Sequence, residues 1–583
     1  MSVAKLVIVN QSAGRSKYSN AGWNKVVNAL NDLVKADKAR DIATEIVRID
    51  IQADMNSFNG KAVKNPKSHS QVKRAVDAVF KSAKPHYILL LGGPELIPHV
   101  PLRNPLFGYP DEEKTVPSDL PYACDVGHGL NPSKFLGATR VVGRLPDVTG
   151  DSNPNYLVKL IKIASGWETR SKASYKKYFG VTAKVWRGST RKNVSKLFGT
   201  TKPLQISPSD APKWSKNLLK PRMHFINCHG VASEENFYGE GANENYPLAH
   251  YSDNLKGAIT EGTVIAAECC YGAELYDPTV FEPEILPICN RYLAESAYGY
   301  LGSTTIAWGS DNGLTLADLI CQYFMKNVRD GASLGRAMLE ARHKFVAQNA
   351  PLDPHALKTL AQFVLLGDPS VHPVKKSKTT QSESSSSSSG SSKSKSKSKS
   401  PVQIKRSLWG ELVDNVVSSN DLRQLFQKTV DTAAKHAIRE LEQRGDRRTR
   451  LFQKGIELGR KMAAVDMDVA KLDSKSISGM LKDYAQKNLN AVVSDVTAFM
   501  VEEAEDYVFA KSAADKRRGT GAVRFLVGVL ELDEEPVEKA SELVDVIESK
   551  SIDDESPNVI RRKMLVATER NGKIESNQEY FSR

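Results

Sequence analysis

Two short segments hold residue types that could supply a nucleophile and its base. Met223-His-Phe-Ile-Asn-Cys-His-Gly230 is an apolar run that stops at His229-Gly230. Thr263-Val-Ile-Ala-Ala-Glu-Cys-Cys-Tyr-Gly272 is another, stopping at paired cysteines. An imidazole beside a thiol favours the thiolate, which is the nucleophilic form. The backbone N–H of Gly230 and that of a cysteine such as Cys270 could together receive the oxyanion that forms when a carbonyl is attacked. The same residues would also suit a loop histidine and two small buried side chains.

That chemistry requires both tips to lie on one edge of a sheet. Short β-branched runs at 6–9, 44–49, 87–91, 139–142, 181–186, 223–227, 264–268 and 302–307 alternate with helical periodicity, as at 22–34 and 71–83. Continuous apolar strands separated by helices predict a parallel sheet covered on both faces. In such sheets the working residues sit just beyond the C-terminal strand ends. His229 and Cys270 are 41 positions apart, room enough for a crossover between neighbouring parallel strands.

The 583 residues divide at a Ser/Lys tract. Residues 375–400 hold seven lysines and one acid, Glu383, among serines, a composition that predicts a disordered, extended linker. The expected organisation is an N-terminal α/β subdomain over 1–150, a catalytic subdomain over 151–374, the linker, and a mainly α-helical domain over 401–583. The last expectation rests on apolar residues three or four apart: Leu422, Phe426, Val430, Ala433, Ala437 and Leu441, then Ile477, Leu481, Tyr484, Val492, Val496 and Met500. A β-branched run after Gly519 adds a strand or two.

The formal charge of +13 suggests nucleic acid until the linker's share is set apart. Nucleic acid is therefore not the expected partner. No apolar stretch is long enough to cross a membrane. Six scattered cysteines do not make a disulfide framework, and a cytoplasmic location is expected. No metal-ligand spacing, P-loop or dinucleotide fingerprint appears, so no cofactor is expected, and nothing indicates calcium.

Five blocks in order resemble the gingipain-like cysteine peptidases, which share a caspase-like fold. They are Tyr87-Ile-Leu-Leu-Leu-Gly-Gly-Pro-Glu-Leu-Ile-Pro98; Val142-Gly-Arg-Leu-Pro146 with Trp167-Glu168; Asn227-Cys-His-Gly230; Ala267-Glu-Cys-Cys-Tyr-Gly272; and Gly302-Ser-Thr-Thr-Ile-Ala-Trp308 through Leu365-Leu-Gly-Asp-Pro369. Together they span roughly residues 85–374. The resemblance implies a caspase-like parallel-sheet sandwich and a cysteine endopeptidase acting on a protein or peptide, with His229 and a cysteine as its dyad. Glu268-Cys269-Cys270 puts Cys270 in the place where these families carry the nucleophile, whereas glycine three residues on would select Cys269. Cys270 is preferred, and His128, with no apolar strand before it, is set aside. The resemblance would also place an acid in the stretch 181–190, which has none.

Glu268 shares the Cys270 side of its strand, so its carboxylate could line the adjoining pocket and pair with Lys or Arg at P1. Trp308 resembles a pocket wall of the family, and Asp311 is a nearby second acid. A basic P1 preference would make the Lys393–Lys399 repeat a self-processing site, with 401–583 regulating the peptidase or binding a protein partner. The competing expectation is a catalytically inactive caspase-like scaffold that binds a partner protein.

Overall fold

The computed structural model describes residues 3–375 apart from 109–110, 209–212, 242–245, 279–284, 311–312 and 351. Beyond these it describes 469–472, 475–489, 493–501, 523–530, 563–570 and 573–583. The centre is a ten-stranded sheet in the spatial order Thr44–Arg48, Lys5–Val9, Tyr87–Leu91, Val142–Leu145, Phe363–Gly367, Gly299–Ser303, Val264–Ala267, Met223–Asn227, Phe179–Ala183, Leu204–Ser207. All neighbours pair in parallel except Phe363–Gly367 with Gly299–Ser303. Strands from 1–150 make up one side of this continuous sheet, and strands from the remainder make up the other.

Both faces are buried, which is why the strands read as unbroken apolar runs. Leu6 and Ile8 face one core, Val7 and Val9 the other. The first core is covered by helices His69–Ala83, Arg187–Phe198, Leu316–Arg329, Leu334–Asn349 and Pro354–Gln362. The second is covered by Gln11–Lys38, Asn155–Gly166 and Ile288–Ala294. This is the expected α/β architecture.

Several boundaries moved. The strand expected at 302–307 is Gly299–Ser303, and it begins at a glycine that packs closely: a Cβ there would lie 2.7 Å from Leu334 Cδ1. The run at 181–186 becomes strand Phe179–Ala183 followed by one helical turn, Lys184–Trp186. The strand expected at 139–142 is Val142–Leu145.

The C-terminal region differs more. Helix Lys475–Leu489 carries Ile477, Leu481 and Tyr484 as expected, but Val496 and Met500 lie on strand Val493–Val501. Their helical spacing is overridden by antiparallel pairing with Val523–Leu530, the strand expected after Gly519. Among the described residues of 401–583, strand outweighs helix. The linker tract from 376 onward, the stripe 422–441 and Val492 lie outside the described residues. The strands form a second, antiparallel sheet in the order Trp308–Gly309, Lys573–Ser582, Lys563–Arg570, Val523–Leu530, Val493–Val501, Val469–Leu472. The C-terminal strands are thus joined to the α/β unit through Trp308–Gly309.

The Tyr87 and Val142 blocks are held together by one buried guanidinium. Arg144 donates to both Asp119 carboxylate oxygens and to the carbonyls of Gly92 and Ile97, the last two at 2.7 Å. Removing it takes away the guanidinium that pairs Asp119 in the core, leaving only His99 Nδ1 at 2.9 Å beside that carboxylate, a loss of about 3–5 kcal/mol. Arg144→Ala is therefore expected to lower the urea unfolding midpoint sharply. An unchanged midpoint would show that this cluster does not hold the two blocks.

Candidate active site

Strand register sets the level of the two tips. Val264 pairs with Met223 and Ala267 with Ile226, an offset of 41 positions. The ladder continues to the Glu268 N–H, which donates to the Ile226 carbonyl at 2.8 Å. The same offset puts Cys270 level with His229. Gly230 lies so close that a Cβ on it would stand 1.8 Å from the Cys270 carbonyl oxygen. Glycine is required there by the approach of two backbones.

Side-chain alternation separates the cysteines. Val264, Ala266 and Cys270 belong to one core; Ile265, Ala267 and Cys269 belong to the other. Cys269 is fully buried, and burial pushes its thiol well above the ordinary range. Cys270 lies at the cleft, where the Ala307 N–H donates to its sulfur at 3.3 Å. Burial pushes its thiol up to about 12.

His229 Nε2 is 2.6 Å from Glu240 Oε2. The imidazole also packs against Trp186, ring centroids 4.3 Å apart, and edge-on against Tyr246. Glu240 follows the hairpin in which His229–Gly230 pairs with Asn236–Tyr238, so the chain folds back to present it. It occupies the position of an orienting acid, and nothing in the sequence distinguished it from Glu234 and Glu235 nearby. His128 is elsewhere: its Nε2 lies 2.9 Å from His69 Nδ1 and the two rings stack.

A pocket beside Cys270 holds the side chain of Arg583. Nη1 is 3.3 Å from Glu268 Oε2; Nη2 is 2.9 Å from Asp318 Oδ2 and donates to the Ser310 carbonyl at 3.0 Å. The guanidinium carbon stands 5.1 Å from the Trp186 ring centroid, within cation–π range. Gly309 leaves room for this side chain, since a Cβ there would lie 2.2 Å from Arg583 Nε. The Arg583 carbonyl oxygen accepts from the Cys270 N–H at 2.9 Å, and its N–H donates to the Ala307 carbonyl at 3.0 Å.

Glu268 lines the pocket as its strand position predicted. Asn193 Nδ2 donates to its Oε1 at 3.0 Å, and Gln322 in turn donates to Asn193. Asp318 was not foreseen, although its signal was legible: it is the third residue of helix Leu316–Arg329, in a capping box with Thr315. Asp311 lies outside the described residues. Trp308 is buried and donates from Nε1 to Asp111 at 3.0 Å, while Lys358 is 2.5 Å from Asp111 and 3.0 Å from Glu113. Its ring braces the edge strand Trp308–Gly309.

No cluster of three or more potential metal-ligating residues occurs among the described residues. No helix there is long and apolar enough to cross a membrane.

Residues 6–374 match the family model for peptidase family C25, a span that begins well before the blocks recognised in the sequence. No curated protein matches the chain. Among solved structures it is similar to the Arg-specific cysteine proteinase gingipain R, at 12% identity, covering 64% of this chain and 78% of that one, with a TM-score of 0.42. A structure described as a protease is similar at 15% identity, covering 64% and 79%, with a TM-score of 0.38. The Saccharomyces cerevisiae separase–securin complex is similar at 14% identity over 40% of this chain and 14% of that one, with a TM-score of 0.26.

The two pocket carboxylates share a single guanidinium. Burial pushes both Glu268 and Asp318 above the usual carboxylate range, Asp318 raises Glu268 further by repulsion, and Arg583 pulls the two back only in part. A carboxyl raised in the folded state contributes stability below its unfolded value of about 4.3, which is lost as pH rises through the folded value. Glu268→Gln keeps an oxygen to accept from Asn193 and cannot ionise. Its stability relative to wild type is expected to improve between pH 5 and pH 8, read as urea midpoints. A pH-independent difference would mean that Glu268 is ionised without cost.

Proposed function

The chain belongs to peptidase family C25 and is a cysteine peptidase; from that premise we propose that it is an endopeptidase in which Cys270 and His229 cleave after arginine in preference to lysine. The observation that carries this reading is the placement of Arg583. Its side chain meets two acids while its carbonyl oxygen accepts from the N–H of Cys270. A P1 arginine bound in the same way would present its carbonyl carbon to the Cys270 sulfur.

On this reading His229 takes the thiol proton as the sulfur attacks. The N–H groups of Cys270 and Gly230 receive the oxyanion, and the imidazolium returns the proton to the departing amine. His229 then draws a proton from the water that hydrolyses the thioester. Glu240 acts as the positioning residue: its carboxylate fixes the orientation of the ring. Cys269 takes no part. The arginine preference follows from shape. A guanidinium reaches Glu268, Asp318 and the Ser310 carbonyl together while lying over Trp186, whereas an ammonium is a point donor. Losing one charge-assisted hydrogen bond costs about 1.5–3 kcal/mol, on the order of 10- to 100-fold. The proposal extends to slow self-cleavage within Lys393–Lys399 in a reducing compartment, which Cys270→Ala would abolish on a gel.

Cys270→Ala and His229→Ala are each expected to abolish hydrolysis of Arg reporter peptides by several orders of magnitude, with Cys269→Ala staying within about tenfold of wild type. An active Cys270→Ala beside a dead Cys269→Ala would move the nucleophile. Arg reporters should exceed Lys by about 10- to 100-fold in kcat/KM and Asp by far more; equal cleavage of Arg and Asp would refute the pocket assignment. Glu240→Gln should lower kcat by roughly a hundredfold with little change in KM, and Glu240→Asp should recover part of it. A change confined to KM would deny Glu240 its positioning role.

A further inference from the structure

Arg583 directly follows strand Lys573–Ser582, which pairs with the edge strand Trp308–Gly309. Ser582 pairs with Trp308 and Phe581 with Gly309, antiparallel, and the Arg583 N–H continues the ladder to the Ala307 carbonyl. Edge-strand pairing of this kind is a general mode of binding extended peptide, in which main-chain bonds provide affinity and side-chain pockets specificity. Both elements are present here: the pocket beside the thiol is filled by a side chain that suits its two acids.

The strand is also fixed from behind. Residues Lys573–Ser582 pair along their length with Lys563–Arg570. Tyr580 donates to Asp353 at 3.1 Å and packs on the His355 ring, centroids 4.6 Å apart. Met564, Val566, Val527 and Tyr580 join the core of the α/β unit. Occupancy of the cleft is therefore a property of the folded chain.

We propose that the segment Glu579–Arg583 is an intramolecular ligand of the cleft, bound in the direction and register of the acyl side of a substrate with Arg583 at P1, so that the peptidase is held inhibited by its own chain until this strand is displaced. The inference rests on the cysteine-peptidase reading with an arginine pocket and adds to it the site's regulator. The geometry fits inhibition twice over. The pocket and the oxyanion donor are both taken, and Cys270 is only 4% exposed. The raised thiol pKa is the expected accompaniment of a covered sulfur. Tethering gives an effective concentration on the order of millimolar, so even a free-segment Kd on the order of 100 μM would leave the cleft about 90% filled. Displacement must break the short ladder at Ala307–Gly309, the Cys270 N–H bond to the Arg583 carbonyl and the contacts of the guanidinium with Glu268, Asp318 and Ser310.

The test uses the full chain and Arg583→Ala, with Arg583→Lys as a milder variant and thermal melts to verify folding. Arg583→Ala is expected to lower the apparent KM for an Arg reporter at least tenfold with kcat within about threefold, and Arg583→Lys to fall between. The peptide acetyl-Glu-Tyr-Phe-Ser-Arg should inhibit Arg583→Ala competitively, and its counterpart ending in alanine should not. Alkylation of Cys270 by iodoacetamide, mapped by mass spectrometry, should be at least tenfold faster in Arg583→Ala. Equal KM values with equal alkylation rates would overturn the inference and leave the peptidase reading standing. Faster alkylation in a protein that cuts no reporter would uphold the occupied cleft and overturn the peptidase reading.

Discussion

Two carboxylates buried against one guanidinium set the terms for the active-site region. Glu268 and Asp318 are fully buried, 0% exposed, and burying like charges side by side is unfavourable without a counter-charge and hydrogen bonds to the remaining oxygens. The fold supplies the counter-charge and most of the hydrogen bonds, leaving Asp318 Oδ1 without a partner. Asn193 and the capping box at Thr315 hold the two acids in place, and the cation comes from Arg583, 315 positions along the chain from Glu268.

The proposed nucleophile and base rest on a different constraint, the regularity of a parallel ladder. Once Val264–Ala267 pairs with Met223–Asn227, each step along one strand is matched by a step on the other, and the offset of 41 carries through to Cys270 and His229. Alternation then assigns the adjacent cysteines to opposite faces of the sheet, Cys269 to one core and Cys270 to the other. Gly230 permits the final approach of the two backbones.

The edge strand Trp308–Gly309 is the third support. It would be a loose extension of the sheet except that Trp308 is tied to Asp111, and Asp111 to Lys358, deep in the packing of helix Pro354–Gln362. Charge pairing holds Asp111 down at about 2 in spite of its burial. A rigid edge offers a peptide a preformed row of donors and acceptors, which lowers the ordering entropy of binding.

By itself the sequence determined whatever is local and repetitive. Strand and helix alternation, the apolar runs that end at His229 and at Cys269-Cys270, and the placement of Glu268 on the side of Cys270 all follow from periods of two and 3.6 residues. Those periods failed where packing overrode spacing, as at Val496 and Met500, whose helical interval lies on a paired strand. Tertiary structure alone decided the partners: Glu240 returned by a hairpin to His229, Asp318 brought from a helix cap, Trp186 placed between imidazole and guanidinium, and Arg583 drawn from the C-terminal sheet. The physical reason is that a side chain's charge and shape are written in the sequence, whereas the counter-charge it meets depends on chain closure over tens to hundreds of positions, for which no short-range pattern exists.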